Sequence, residues 1–252
     1  MNQNSAKRNR KKMIVMFVLF ILAAALYMTV GVKFENQKLF EYSMKIRTPK
    51  LIAMMITAYA IGSAAIVFQS IINNTIVTPC LLGMDALYTM IHTILVFILG
   101  SGSALVVNAN CSFLIDLVIM GVTATIIYSY LFKKTKHNVL YVLLIGTVLT
   151  SLFSSIQSTM TRIMDPNEYD TLLTTLVASF SNVNSEIMIL SITVLLIVAI
   201  ALRKELYILD VLTLGKEQAI NLGVDYDASI RKLLLGVTLY ICLLYTSPSP
   251  RD

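Results

Sequence analysis

Few residues in the sequence have the types and spacing that chemistry requires. Asp85 and Asp116 fall inside long apolar runs, where ionisable side chains are functional candidates by default. Two acids that share a proton must lie at one depth, whereas these positions are about 18 Å apart across a bilayer. Each aspartate lies near the start of an apolar run, where a carboxylate complements a helix N-terminus, so we interpret both as structural. His92 has no second His or Glu at metal-binding spacing, and we predict a hydrogen-bonded packing role.

The sequence also lacks the motifs of common catalytic sites. Its three cysteines, Cys80, Cys111 and Cys242, are widely spaced and form no C-x-x-C pair, so no disulfide framework or zinc site is indicated. Neither H-E-x-x-H nor G-x-S-x-G occurs, and no G-x-x-x-x-G-K-[ST] loop is available to hold ATP phosphates. We therefore predict a protein that is not an enzyme, that has no metal or cofactor, and that draws any energy from a partner chain.

One apolar run carries a polar stripe at helical spacing. Its members are spaced i, i+3, i+4 and therefore share one helix face: Thr147, Thr150, Ser151, Ser154, Gln157, Ser158 and Thr161. Such a face can line a water-filled route and offer weak, replaceable hydrogen bonds to a large polar ligand. The alternative is close helix packing through small residues whose hydroxyls bond back to their own helix. We favour a pathway-lining role for this stripe.

The composition requires that these residues be positioned by membrane-spanning helices. The 252 residues are 57% hydrophobic and 13% charged, whereas soluble domains carry about 25% charged residues. The net charge of +6 could indicate a nucleic-acid partner, but most lysines and arginines fall in short segments beside apolar runs. This distribution favours membrane topology, so we predict an all-α, polytopic transmembrane helical bundle without a nucleic-acid partner.

The apolar runs predict seven spans. They are Met13–Val32, Leu51–Ile72, Leu81–Leu99, Phe113–Phe132, Val139–Met160, Ile187–Leu202 and a seventh that begins at Leu233. The first is too long for a signal-peptide core, so we interpret it as an uncleaved span. Placing the basic tail of residues 1–12 in the cytoplasm puts the basic segments 133–138 and 203–232 on the same side, in accord with the positive-inside rule. The transmembrane domain is thus predicted to cover residues 13–241, in the cell membrane.

Two segments depart from this pattern. Residues 32–50 are basic although they are assigned to the outside, and their interleaved apolar residues predict an amphipathic helix in the membrane interface. Residues 242–252, CLLYTSPSPRD, interrupt the seventh span with two prolines and charges. That string resembles a translated sequencing-library adapter. We expect it to be a non-native tail and the natural protein to continue beyond Ile241.

Two separated motifs carry a family resemblance. Residues 47–84, RTPK followed by LIAMMITAYAIGSAAIVFQSIINNTIVTPCLLGM, have a basic-proline start, a span with small residues and a Gln, and a turn before L-G. Residues 212–224, LTLGKEQAINLGV, match an L-x-L-G-x-x-x-A-x-x-L-G-V pattern. Together they resemble the FecCD family of permeases, which serve iron-siderophore ABC importers. Asn or Thr replaces the first proline of the family's turn at residues 73–79.

The resemblance implies a type II ABC importer permease with ten spans, of which about seven are present. It also implies several partners: P-loop ATPase subunits, an external siderophore-binding protein, a second permease copy or paralogue, and a ferric siderophore in a lipid bilayer. The nearest likeness is to permeases for catecholate-type siderophores such as enterobactin or petrobactin. A cobalamin or heme permease of the same family is an alternative. So is an ion-coupled secondary transporter, although such proteins have charged or broken helices near mid-membrane.

The family pattern also assigns roles to particular residues. The segment 214–224 is expected to be a short amphipathic helix that couples to the ATPase, through Leu214, Gly215, Ala219, Leu222 and Gly223. Its alternative is a helix that only packs on the membrane surface. Arg47 and Lys50 are expected to bind carboxylates of the external binding protein, and the alternative is anchoring at the lipid headgroups. Lys50 stands where the family has Arg.

Overall fold

The computed structural model of the protein describes residues 3–31, 37–135, 138–176 and 185–245. The chain divides into two compact units, Met1–Met54 and Met55–Asp252. All regular structure in the described ranges is helical, as the composition predicts. The helices are α1 (Gln3–Thr29), α2 (Gln37–Ile72), a 3₁₀ turn η1 (Pro79–Leu82), α3 (Met84–Leu99), α4 (Ala104–Val107), α5 (Ala109–Lys134), α6 (Val139–Ile163), α7 (Pro166–Leu176), α8 (Ser185–Ala201), α9 (Arg203–Tyr207), α10 (Leu209–Leu212), α11 (Lys216–Asn221) and α12 (Tyr226–Tyr245).

Four helices in the described ranges are long and apolar enough to cross a bilayer. They lie within Arg10–Thr29, Gln37–Ile72, Asn110–Lys134 and Val139–Ile163, and shorter apolar helices cover Met84–Leu99 and Ile187–Ala201. Helix α1 shows the lipid-facing pattern most clearly, since every side chain from Met13 to Leu22 is at least 47% exposed although all are apolar. A helix that is apolar all round must meet lipid or other spans rather than water.

Helix α2 differs from the sequence prediction. The interfacial segment and the second span were expected to be separate, but residues 37–72 form one helix with Pro49 inside it. A proline in a helix interior removes one backbone hydrogen bond and leaves the carbonyl four residues earlier without its amide. That carbonyl belongs to Lys45, an exposed residue, so solvent can replace the missing amide and the helix continues.

The third span begins later than predicted, because a tight turn separates it from α2. Asn73 has a positive φ of 53°, a conformation that Asn tolerates better than most residues, and Pro79 starts the single turn η1. Gly83, with φ 77°, then redirects the chain into α3. A Cβ on Gly83 would collide with the backbone and hydroxyl of Thr150, so this turn is pressed against α6.

The core of the second unit lies among α3, α5, α6, α12 and the second half of α2. Its largest buried side chains include Phe68, Met84, Phe113, Tyr128 and Leu233. Small residues let the helices approach closely, since a Cβ on Gly146 would meet Leu82 and one on Gly121 would meet Leu239. The Tyr128 hydroxyl is buried in this core and donates a 2.8 Å hydrogen bond to the carbonyl of Leu82, which fixes η1 against α5.

Candidate functional site

The segment with the strongest motif folds into the short helix that the sequence predicts. Gly215 precedes α11 with φ 97°, and Gly223 follows it with φ 83°, so both glycines adopt backbone conformations that L side chains avoid. At the C-terminus the amide of Gly223 donates to the carbonyl of Ile220 (2.9 Å) and the amide of Val224 to that of Ala219 (3.0 Å). This pair of bonds is a Schellman motif, which stops the helix and turns the chain toward α12.

The side chains of this segment divide into buried and exposed ones. Ala219 is fully buried and packs into the protein's own core, so it holds α11 in place. Leu214, Ile220 and Leu222 are 53%, 51% and 63% exposed. Three half-exposed aliphatic side chains on a polar connecting segment form an apolar surface that a partner could cover. We call Leu214, Ile220 and Leu222 the coupling surface.

A groove of about 730 Å³ lies beside the coupling surface. It is lined by the end of α2 (residues 71–73), by Lys133 and Val139, and by residues 212–217 with Ile220 and Tyr226. The α11 side of the groove is tied to α12 by an ion pair, in which Lys216 Nζ lies 2.9 and 2.8 Å from the two carboxylate oxygens of Asp227. Both side chains are about half exposed, so the pair links α11 to α12 but contributes little stability.

A second ion pair joins the connecting segment to α12. Lys232 Nζ donates a 2.8 Å hydrogen bond to Glu205 Oε1, and the Glu205 side chain is nearly buried. This hydrogen bond lowers the pKa of Glu205, an effect that partial burial of the carboxyl group opposes. Helices α9 and α11 are therefore both attached to the first two turns of α12. The sequence gives no local signal for this arrangement, because the paired residues are 27 positions apart.

Helix α6 presents its polar residues on two faces. Of the seven residues in the predicted stripe, Thr147, Ser151 and Ser158 are exposed, whereas Thr150, Ser154, Gln157 and Thr161 are half-buried. Thr150 belongs to the packing face, where it touches Gly83 and donates to the carbonyl of Gly146. Thr150 therefore packs against a neighbouring element and bonds to its own helix, which was the alternative to a pathway-lining role.

The exposed face of α6 forms a ladder of hydroxyls. The hydroxyls of Ser151, Ser155 and Thr159 each donate to the backbone carbonyl four residues earlier, at 3.0, 2.7 and 2.8 Å. The bonds leave each oxygen's lone pairs available at the surface. Ser155 and Thr159 were missed as members of the stripe, although they continue the four-residue spacing from Thr147 to Ser151. We call Thr147, Ser151, Ser155 and Thr159 the hydroxyl ladder.

Arg47 has a local partner that the sequence did not indicate. Its Nη1 donates to the carbonyls of Tyr27 and Val30, both at 2.7 Å, and its guanidinium lies 5.9 Å from the centre of the Tyr27 ring. A cation on the last carbonyls of α1 satisfies groups that a helix end leaves unpaired. The guanidinium has further N–H groups, so this cap leaves donors for an external carboxylate. Lys50 lies one turn later and is half-buried.

The two intramembrane acids have different environments. Asp85 lies in the first turn of α3, as predicted. Asp116 was expected near a helix start, and this expectation was wrong, because α5 begins at Ala109 with Asn108 as its N-cap. Asp116 is instead buried two turns inside and lies 2.7 Å from His92 Nδ1. His92 is thus a buried, hydrogen-bonded residue, stacked on Tyr88 at 6.0 Å. One carboxylate oxygen of the aspartate is therefore hydrogen-bonded to a side chain 24 residues away on another helix.

Within the described ranges, no three His, Cys, Asp or Glu side chains come close enough to hold a metal ion. The surfaces that remain are a coupling surface with its groove, a hydroxyl ladder and a capped arginine at a helix end.

Comparisons with known proteins agree with the family resemblance seen in the sequence. The model of the FecCD transport family matches residues 12–247. The petrobactin import system permease protein YclO of Bacillus subtilis (strain 168) is 33% identical over 234 residues, covering 93% of this chain and 73% of that protein. The petrobactin import system permease protein FatC of Bacillus anthracis is 32% identical over 200 residues, covering 79% of this chain and 56% of that protein.

A solved structure has the same fold. It is an inward-facing conformation of a metal-chelate type ABC transporter, and it superimposes with a TM-score of 0.73 at 20% sequence identity. The similarity covers 96% of this chain and 76% of that chain. At 20% sequence identity, this similarity shows that the helices are arranged in the same way.

Proposed function

The chain belongs to the FecCD transport family, and we propose that it is the membrane-spanning permease subunit of an ATP-driven importer that carries a ferric siderophore into the cytoplasm. The family match over residues 12–247 is the observation that carries this proposal. A permease of an ABC importer works with a separate ATPase and a binding protein, and it is a transport component rather than an enzyme. The 33% identity to a petrobactin import permease supports a siderophore of the petrobactin kind as the substrate.

The coupling surface is the proposed contact with the ATPase. The three side chains of this surface are apolar and half exposed. Helix α11 itself is attached to the rest of the protein, because Ala219 packs in the core and Lys216 pairs with Asp227. A rigid surface transmits displacement, whereas a loosely attached one absorbs it. Movement of the ATPase against α11 would therefore pass to α12 through the Lys216–Asp227 pair and the Schellman turn. Gly215 and Gly223 serve this role by allowing the two turns.

The hydroxyl ladder is the proposed lining of the substrate route. Its hydroxyls are exposed in the single chain. Because they already donate their protons to backbone carbonyls of the same helix, they can accept hydrogen bonds from a ligand and need no permanent partner. A large polar ligand that must pass on is best served by weak, replaceable contacts of this kind. A second permease copy or paralogue would supply the facing wall, and the route would open alternately to the two sides.

The orientation and the external contact are also proposals. The basic tail of residues 1–12 and the segments 133–138 and 203–232 are assigned to the cytoplasm, which puts the coupling surface on the ATPase side. Arg47 and Lys50 then lie on the outside, where the binding protein arrives. Because Arg47 caps α1, its contact with the binding protein would use the guanidinium nitrogens that the carbonyls of Tyr27 and Val30 leave unoccupied.

Gene disruption in the source strain tests the proposal directly. Loss of the gene is expected to abolish uptake of ferric petrobactin labelled with radioactive iron, while uptake of cobalamin stays unchanged. Complementation with the intact gene restores the uptake. Unchanged petrobactin uptake combined with loss of cobalamin uptake would assign the chain to a different substrate, and unchanged uptake of every metal chelate tested would contradict an importer role.

A further inference from the structure

A second cavity lies between the end of α5 and the beginning of α12, and it shares Lys133 with the groove beside the coupling surface. Its volume is about 320 Å³, and its polar lining comes from Ser129, Lys133, Asp227 and Arg231. Both helices continue from this point into the apolar part of the protein, α5 back toward Phe113 and α12 on toward Tyr245. The cavity therefore lies at the level where a spanning helix leaves the hydrocarbon, which is the depth of the lipid headgroups.

The charges in this cavity leave a net positive site. Its one acid, Asp227, is already bound through both oxygens by Lys216. Lys133 and Arg231 are exposed, and in the part of the chain that the structure describes neither forms an ion pair with a carboxylate. Two cations without an acidic partner on facing helices attract an anion.

The cavity also contains a hydroxyl that has no hydrogen-bond partner. Ser129 Oγ is buried and makes no hydrogen bond within the described residues. A serine in a helix can donate to its own backbone, as Ser151 and Ser155 of α6 do at 3.0 and 2.7 Å. A buried hydroxyl without a partner is costly, so this one is poised to donate to an oxygen that enters the cavity.

An apolar surface continues from the cavity along both helices. Tyr130, Ile126 and Val122 follow one another by a helical turn on α5 and are 67%, 64% and 53% exposed. Leu235 stands one turn beyond Arg231 on α12 and is 40% exposed. The two helices pack closely at Gly121, where a Cβ would lie 3.7 Å from Leu235. The apolar surface is therefore a shallow groove between them, and we call it the seam.

We propose that this cavity and seam bind an anionic phospholipid. The phosphate lies between the Lys133 ammonium and the Arg231 guanidinium and accepts a hydrogen bond from Ser129 Oγ, and an acyl chain follows Tyr130, Ile126 and Leu235. A soluble phosphate compound would use the cations but has no need of the exposed seam. The combination of paired cations, an unpartnered donor and a continuous apolar track selects a lipid with a negative headgroup.

Native mass spectrometry of the purified chain, released from nanodiscs of mixed phosphatidylglycerol and phosphatidylcholine, tests the site. The wild-type chain is expected to retain phosphatidylglycerol in preference to phosphatidylcholine. Retention should fall about fivefold in Lys133→Gln or Arg231→Gln and roughly 25-fold in the double variant, since each cation near a membrane surface contributes a factor of that size. Ser129→Ala, which keeps both cations, should weaken retention by about tenfold through the lost hydrogen bond to a charged group.

Lys134→Gln and Arg203→Gln are the matched controls, because they remove the same charge from exposed residues that do not line the cavity. Both should retain phosphatidylglycerol like the wild type. The proposal is overturned if the controls lose as much as the cavity variants, or if phosphatidylcholine is retained equally. It is also overturned if glycerol phosphate displaces the lipid, which would make the cavity a site for a soluble phosphate. The single variants are measured separately, so the result does not depend on insertion of the double variant.

Discussion

Placing a charge on the coupling surface should separate the permease from its ATPase without unfolding it. Leu214 is 53% exposed, so about half of its side chain remains to be buried by a partner. Burying a whole leucine contributes about 1.5–3 kcal/mol, so this half contributes roughly 1 kcal/mol. Leu214→Asp loses that share and adds the cost of removing a carboxylate from water, which brings the expected loss to about 3 kcal/mol, or roughly 100-fold in affinity.

The assay is binding of the purified ATPase subunit to the permease in nanodiscs. Leu214→Ala should weaken binding only about fivefold, because it loses the burial term alone. Leu206→Asp is the matched control: Leu206 is 40% exposed, belongs to α9 in the same connecting segment and does not line the groove. Wild-type affinity in Leu214→Asp, or an equal loss in Leu206→Asp, would refute the assignment of the coupling surface. Ala219→Glu is unsuitable for this test, because Ala219 is fully buried and a charge there should disrupt α11 itself.

Three further predictions follow from the other contacts. Arg47→Lys should lower the melting temperature slightly, because a more strongly hydrated ammonium replaces the planar guanidinium that caps α1 beside the Tyr27 ring. It should also weaken capture of the loaded binding protein if Arg47 also docks it, and full capture would leave Arg47 as a cap of α1 alone. The lowered pKa of Glu205 predicts that its pairing with Lys232 stabilises the protein above the ordinary glutamate pKa and that this contribution disappears as the pH falls through the lowered pKa. Glu205→Gln should therefore reduce stability near about pH 7, and the loss should shrink progressively as the pH falls below the ordinary glutamate pKa. Ser155→Leu should slow siderophore uptake while ATPase binding stays normal, and unchanged uptake would contradict the lining role of the hydroxyl ladder.

Local patterns in the sequence predicted the helices and the ends of α11 well. The glycines at 215 and 223 flank a short amphipathic run, and they stop the helix in the structure by the backbone conformations that only glycine adopts easily. The apolar runs predicted α1, α5 and α6, because a chain that crosses lipid must be helical there. The ends of α11 and the apolar helices depend only on residues close in sequence and on the surrounding lipid, so they can be predicted from the sequence.

The errors arose where distant residues decide the structure. Asp116 was assigned to a helix start because its partner, His92, is 24 residues away and in another helix. The segment 32–50 and the span from Leu51 were expected to be separate, yet α2 continues through Pro49, where an exposed carbonyl can be hydrated. Ala219 was grouped with exposed residues of α11, although tertiary packing buries it completely. Helical periodicity shows which residues share a face but does not identify the side of the helix that another element covers.

The energy source of uptake in source-strain cells tests the central claim most directly. Ferric petrobactin uptake is compared between the wild-type and gene-disrupted strains, either after ATP depletion or after a protonophore has collapsed the proton gradient while ATP is maintained. An ABC importer permease predicts that the gene-dependent uptake disappears when ATP is depleted and persists with the protonophore. Gene-dependent uptake that persists without ATP and disappears with the protonophore would contradict the account and identify an ion-coupled transporter.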